Sequence, residues 1–217
     1  MFDARLRAAY APTADRAAER LVGVGVTPVQ LTVGGWGVGV AACVAAGLGW
    51  WTAALVLWLG NRLLDGLDGA VARAGDPTER GGFLDIVADF SIYAGFLVGV
   101  AVSVPSARLG VVVLLTTYYV SGAAFLGLSS LVERRRNRLG DERSLNFVGG
   151  LAEGAETVVA YALIALLPAY VTTIVWAFAA AVAVTAVQRI VFGYRLLTAT
   201  PTADPDLTGT PTDHTSR

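Results

Sequence analysis

The chain has no lysine, one cysteine, one histidine and one methionine among its 217 residues, so all 16 basic residues are arginines. A lone Cys43 inside an apolar run excludes a disulfide and any cysteine-based metal site. The single histidine, His214, stands in a tail rich in Thr, Pro and Asp and is given no role. The first 20 residues lack the apolar core and cleavage site of a signal peptide. No internal repeat is visible. Charge is the scarcest commodity, at 15% against 55% hydrophobic residues and a mean hydropathy of +0.60, which is too apolar for an ordinary soluble domain.

The position of the uncharged stretches is decisive. No Asp, Glu, Lys or Arg occurs from Leu21 to Asn61, Phe90 to Ala107, Leu109 to Val132, or Thr157 to Gln188. Crossing the hydrocarbon core takes about 20 apolar residues, and the first and last stretches are long enough for two passes, with breaks at Gly47–Trp51 and near Pro168. The expected fold is an all-α integral membrane protein, a bundle of six transmembrane helices at roughly Leu31–Leu48, Trp51–Arg73, Gly82–Ser103, Ala107–Leu131, Glu153–Leu167 and Tyr170–Tyr194. In that layout Arg5, Arg7, Arg16, Arg20, Arg73, Arg80, Arg134, Arg135, Arg136, Arg138, Arg143 and Arg195 share one side, and only Arg108 lies opposite. The positive-inside rule places that side, with both termini, in the cytoplasm, so the protein is expected in the cell membrane.

Three regions follow. Residues 1–25 read as a short interfacial amphipathic helix, with Phe2, Leu6, Ala9 and Tyr10 set against Arg5 and Arg7. Residues 26–197 form the membrane domain. Residues 198–217 read as a disordered cytoplasmic tail.

Against this background, "LLDGLDGAVARAGDPTERGGFLDIVADF" (Leu63–Phe90) places Asp65, Asp68, Asp85 and Asp89 beside apolar runs. Ionisable residues in a membrane span are costly and mark function. On a helix, Asp65 and Asp68 share one face, and Asp85 and Asp89, four apart, share a face of the next. A short connection with Gly75 and Pro77 makes the two helices antiparallel neighbours, so the acids converge at the cytoplasmic end. Crowded carboxylates repel unless a cation intervenes. Hard divalent ions take oxygen ligands, and paired ions suit phosphate chemistry. Gly66, Gly69, Ala70 and Ala72 leave room for a bulky ligand, although such small residues also serve helix packing. Arg73 offers a fixed positive charge to a phosphate.

The pattern Asp65-x2-Asp68-Gly69-x2-Ala72-Arg73, followed by Gly81-x3-Asp85-x3-Asp89, resembles the signature of the CDP-alcohol phosphotransferases (CDP-alcohol phosphatidyltransferases). Two positions depart from it. The spacer between Arg73 and Gly81 has seven residues where the usual pattern has eight, with Gly82 as the alternative match. In "TPVQLT", Val29 stands where relatives commonly carry Asn, which weakens any nucleotide role for that segment.

The resemblance implies transfer of a phosphatidyl group from CDP-diacylglycerol to the hydroxyl of a small alcohol, with release of CMP and a role in phospholipid biosynthesis. It implies two divalent ions, Mg2+ or Mn2+, on Asp65, Asp68, Asp85 and Asp89. Gly69 and Ala72 would accommodate the cytidine, Asp68, Arg73 and Gly81 would help hold the nucleotide, and Asp89 would be the general base. It also implies a homodimer, for which Gly95 and Gly99 form a GxxxG that allows close helix contact, either between protomers or within one bundle. The partners are membrane lipid and the two substrates, with no nucleic acid. Arg134–Arg143 fit a phosphorylated acceptor or anionic lipid, whereas Glu153 and Glu156 suit hydroxyl or ammonium groups; Arg189 belongs to the same region. A polyol, a polyol phosphate and an amino alcohol all remain open. The alternative function is a cation-coupled transporter that uses the intramembrane aspartates, which leaves the accompanying Gly, Ala and Arg positions unexplained.

Overall fold

The computed structural model describes residues 2–75, 77–139 and 154–198. Every regular element among them is helical: α1 (Phe2–Gly23), α2 (Pro28–Gly47), α3 (Trp51–Ala74), α4 (Glu79–Ser103), α5 (Arg108–Leu139), α6 (Gly154–Leu166) and α7 (Val171–Thr198). Short 3-10 turns at Pro105–Ala107 and Pro168–Tyr170 lead into α5 and α7. The breaks fall where the local chemistry requires them. Gly25 and Gly49 take φ of +81° and +72° in the turns before α2 and α3, a backbone region that costs glycine little.

Helix starts are written in side chains. The Thr27 N–H donates to Gln30 Oε1 (3.0 Å), and the Gln30 N–H donates to Thr27 Oγ1 (3.3 Å). With Pro28 in the first turn, "TPVQ" is thus a capping box that launches α2. Thr78 caps α4 in a similar way, its hydroxyl accepting the Gly81 N–H at 3.1 Å.

Among the described residues, four stretches are long and apolar enough to cross a membrane: Pro28–Gly47, Glu79–Ser103, Pro105–Arg134 and Pro168–Thr198. The chain is therefore a multi-pass membrane protein. The other two expected spans differ for physical reasons. Helix α3 has the length but carries Arg62, Asp65, Asp68 and Arg73, and α6 has 13 residues. Large apolar side chains such as Val33, Val56, Val98, Val112 and Val187 are exposed around the helices, far more than a water-facing surface carries.

Helix α2 packs against α3 and α4, α5 against α7, and α3 against α6. The centre is aromatic: Trp58, Phe96 and Tyr161 are fully buried, with Phe96 and Tyr161 stacked at 5.1 Å and Trp58 4.9 Å from Tyr161. Their polar atoms are satisfied, Trp58 Nε1 donating to the Val158 carbonyl and the Tyr161 hydroxyl to the Tyr93 carbonyl, as buried Trp and Tyr require. Helix α1 lies on α3, where Ala18 meets Ala70 and Val71.

The GxxxG glycines face inward. A Cβ on Gly99 would collide with the Cys43 carbonyl and come within 3.0 Å of the Gly47 amide, and one on Gly95 would lie 3.1 Å from Cys43 Sγ. These glycines let α4 approach α2 within one protomer, so they give no support to a dimer contact. Arg143, Glu153, residues 199–217 and the side chains of 135–139 lie outside the described residues, as do those of 2–11, on which the expected amphipathic face of Phe2, Leu6, Ala9 and Tyr10 against Arg5 and Arg7 rests.

Candidate active site

Three helices build the acidic site at one end of the bundle. Helix α3 contributes Asp65 and Asp68 from its last turns, α4 contributes Asp85 and Asp89 from its first turns, and the start of α2 supplies the third wall. A narrow cleft lies between them, lined by Thr32, Gly35 and Trp36 of α2, Asn61, Asp65 and Asp68 of α3, and Asp85, Ala88, Asp89 and Ile92 of α4. All four aspartates read from the sequence thus share one cleft.

Within it they divide into three and one. Ligand oxygens of Asp65, Asp68 and Asp85 lie within 4.8 Å of one another, a donor set of hard oxygens that fits a divalent cation. Asp89 neighbours Asp65 and has an arginine partner: its Oδ1 accepts from Arg62 Nη2 at 2.8 Å, and Arg62 Nη1 stands 3.7 Å from Asp65 Oδ2. The chain therefore carries a cation of its own among the acids.

Asp68 is the buried member, at 5% exposure, and the Thr32 hydroxyl lies 2.8 Å from its Oδ2. Burying a carboxylate is costly unless it is hydrogen-bonded, and Thr32 meets that need from α2. A further link joins α2 to α4 at the cleft, where Trp36 Nε1 donates to Ser91 Oγ at 2.9 Å.

The remaining sequence-derived positions flank the cleft. Arg73 folds back along α3, its Nη1 3.4 Å from where a Cβ on Gly69 would stand. Gly69 therefore gives the exposed Arg73 side chain its path. Gly66 and Gly82 have open space around them, while a Cβ at Gly81 would come within 3.1 Å of Thr78 Oγ1. Ala72 is half-buried. Neither Glu156 nor Arg189 lines this cleft. Glu156 lies in the first turn of α6, where an acid complements the helix dipole, and Arg189 donates to Ser121 Oγ at 2.9 Å.

Two residues escaped the sequence reading. Arg62 had a usable signal, an arginine three positions before Asp65 that closes a long uncharged stretch. Thr32 had none, since nothing in its own neighbourhood marks it as a partner of an aspartate 36 positions away.

A family model for CDP-alcohol phosphatidyltransferase matches residues 25–188. The chain belongs to that family. The matched stretch contains all four aspartates and the whole of the cleft, and it ends just before Arg189. A relative, the inner membrane protein YnjF of Escherichia coli (strain K12), is 38% identical over 200 residues, which cover 91% of this chain and 97% of that protein. Crystal structures of Mycobacterium tuberculosis phosphatidylinositol phosphate synthase (PgsA1) share the fold at 22% identity. The one with CDP-DAG bound gives a TM-score of 0.68 over 83% of this chain and 93% of that one. The one with manganese and citrate gives 0.69 over 83% and 88%.

Proposed function

We propose that the protein is a phospholipid-synthesising transferase that moves a phosphatidyl group from CDP-diacylglycerol to the hydroxyl of a small alcohol. The observation that carries this is the convergence of Asp65, Asp68 and Asp85 within 4.8 Å, beside Asp89, in a cleft between α2, α3 and α4. Family membership and the CDP-DAG and manganese named for the PgsA1 structures support the same donor and cofactor class.

In this reading Asp65, Asp68, Asp85 and Asp89 hold two divalent ions, Mg2+ or Mn2+, which when bound neutralise the pyrophosphate of the donor and the departing CMP. Arg73 adds a positive charge at the mouth, and Gly69 and Ala72 keep the α3 surface low enough for the cytidine. Gly81 shapes the opposing start of α4. Asp89 accepts the proton of the acceptor hydroxyl as its oxygen attacks the phosphorus next to the diacylglycerol. A new P–O bond to the alcohol forms, the P–O bond to CMP breaks, and CMP leaves.

Six spans, with α3 and α6 counted despite their charge and length, place the site and both termini at the cytoplasmic face, as the arginine asymmetry supports. The lipid tails of the donor then stay in the bilayer while its head group meets a water-soluble acceptor. Residues 26–197 are the catalytic domain, α1 is an interfacial element beside it, and a homodimer uses a surface other than Gly95 and Gly99.

The test is release of CMP by purified protein from CDP-diacylglycerol with Mg2+ or Mn2+, across a panel of polyols, polyol phosphates and amino alcohols. Release that depends on one acceptor class supports the proposal and names the acceptor. No release with any of them, from folded protein, overturns it.

A further inference from the structure

Arg62 has an unusual set of anchors for a basic residue in a membrane helix. Its side chain is only 9% exposed, whereas an arginine that merely marks topology extends its head to water. Nε and Nη2 donate to Asn61 Oδ1 at 2.9 and 2.6 Å, and Nη1 donates to the Tyr93 hydroxyl at 2.7 Å. The guanidinium carbon stands 4.9 Å from the Trp58 ring centroid and 4.8 Å from that of Tyr93, within cation–π range. Asn61 is itself fixed, donating to the Gly35 carbonyl of α2 at 2.9 Å. Asn61, Trp58 and Tyr93 thus hold the head group from behind and leave Nη2 facing Asp89.

We infer that Arg62 is a resident counter-charge that holds Asp89 and makes divalent ions load unequally, one tightly at Asp65, Asp68 and Asp85 and the other weakly beside Asp89. This rests on the metal-binding reading above. The triad has its oxygens turned toward one another and has Arg62 only at its edge, 3.7 Å from Asp65. An ion beside Asp89 has to take that carboxylate from a 2.8 Å charged hydrogen bond and then sit next to a guanidinium. Both costs fall on the second position. The donor's pyrophosphate, negatively charged and bound at the same mouth, offsets the repulsion, so full loading accompanies substrate. Arg62 is in these terms a positioning residue, acting on the site through Asp89.

The test uses metal-stripped full-length protein in nanodiscs, titrated with Mn2+ alone, with free Mn2+ read by electron paramagnetic resonance. The wild type is expected to bind one ion tightly and a second at least about tenfold more weakly. Arg62→Met and Arg62→Gln should tighten the second position by at least about tenfold, the minimum expected when a unit charge beside a dication is removed. Gln keeps an amide donor for Asp89 and serves if Met does not fold. Arg62→Lys keeps the charge and should resemble the wild type. Superimposable isotherms for wild type, Arg62→Met and Arg62→Gln overturn the inference while leaving the metal site standing. Loss of both positions in Met and Gln overturns it too, since that marks Arg62 as a scaffold for the triad. A wild type that binds no Mn2+ overturns the metal reading itself and this inference with it.

Discussion

Thr32 Oγ1 lies 2.8 Å from Asp68 Oδ2, a bond between the first turns of α2 and the last turns of α3. It ties the most buried carboxylate of the site to a helix that carries none of the motif. The same hydroxyl stands 3.1 Å from the Pro28 carbonyl of its own helix.

Thr32→Val keeps the shape and removes the donor. A hydrogen bond to a charged group is worth about 1.5–3 kcal/mol and is already made in the metal-free protein, so the thermal midpoint should fall by several degrees, and Mn2+ affinity should fall as Asp68 loses its fixed orientation. Thr32→Ser should keep most of both. Equal Mn2+ titrations for Thr32→Val and wild type would show that Asp68 does not need this partner.

Gly99→Ala tests the inward glycine face. The added methyl meets backbone, the Cys43 carbonyl and the Gly47 amide, which has no rotamer to move away. Overpacking of this kind costs about 1–3 kcal/mol, so the thermal midpoint should drop by several degrees while native mass spectrometry from nanodiscs shows the same oligomeric state as wild type. A loss of oligomer with unchanged stability would place Gly99 at a subunit contact instead.

Much of this architecture is legible in the chain because a membrane forces hydrophobic runs and intramembrane charges into view. The helices, the breaks at Gly49 and Pro168 and the four aspartates follow from spacing and composition alone. The pairing of Asp89 with Arg62 beside the triad does not, since it depends on the direction of the Arg62 side chain and on how α3 and α4 both seat on α2. The inward role of Gly95 and Gly99 is equally hidden. A GxxxG reads the same whether the facing backbone belongs to α2 or to another protomer, and only the position of Cys43 and Gly47 decides it.

Chelation should separate chemistry from folding. On the proposed reading the triad holds a cation, so CMP release should cease after bound metal is stripped into EDTA and return with Mg2+ or Mn2+. Arg62 already offsets part of the acidic charge, so the fold should survive, with a lower thermal midpoint that rises as metal is restored. At 100 times its dissociation constant a bound ion adds about 2.7 kcal/mol. Full activity in EDTA after metal removal would exclude metal-dependent transfer.

Asp89→Asn is the sharpest test of the proposed proton acceptor. The amide oxygen can still accept from Arg62, so the α3–α4 contact at 2.8 Å has a substitute and the protein should fold. Proton acceptance is lost, and turnover should fall at least about 10²-fold, the lower end of a general-base contribution. CDP-diacylglycerol binding should survive better, because Asp65, Asp68 and Asp85 still face one another. Asp65→Asn breaks that triad and should weaken Mn2+ and donor binding together with turnover. Kinetics and a nucleotide-binding assay are both needed, since lost activity alone does not distinguish a base from a ligand. Near wild-type turnover in Asp89→Asn would remove Asp89 from the chemistry and leave it as the partner of Arg62.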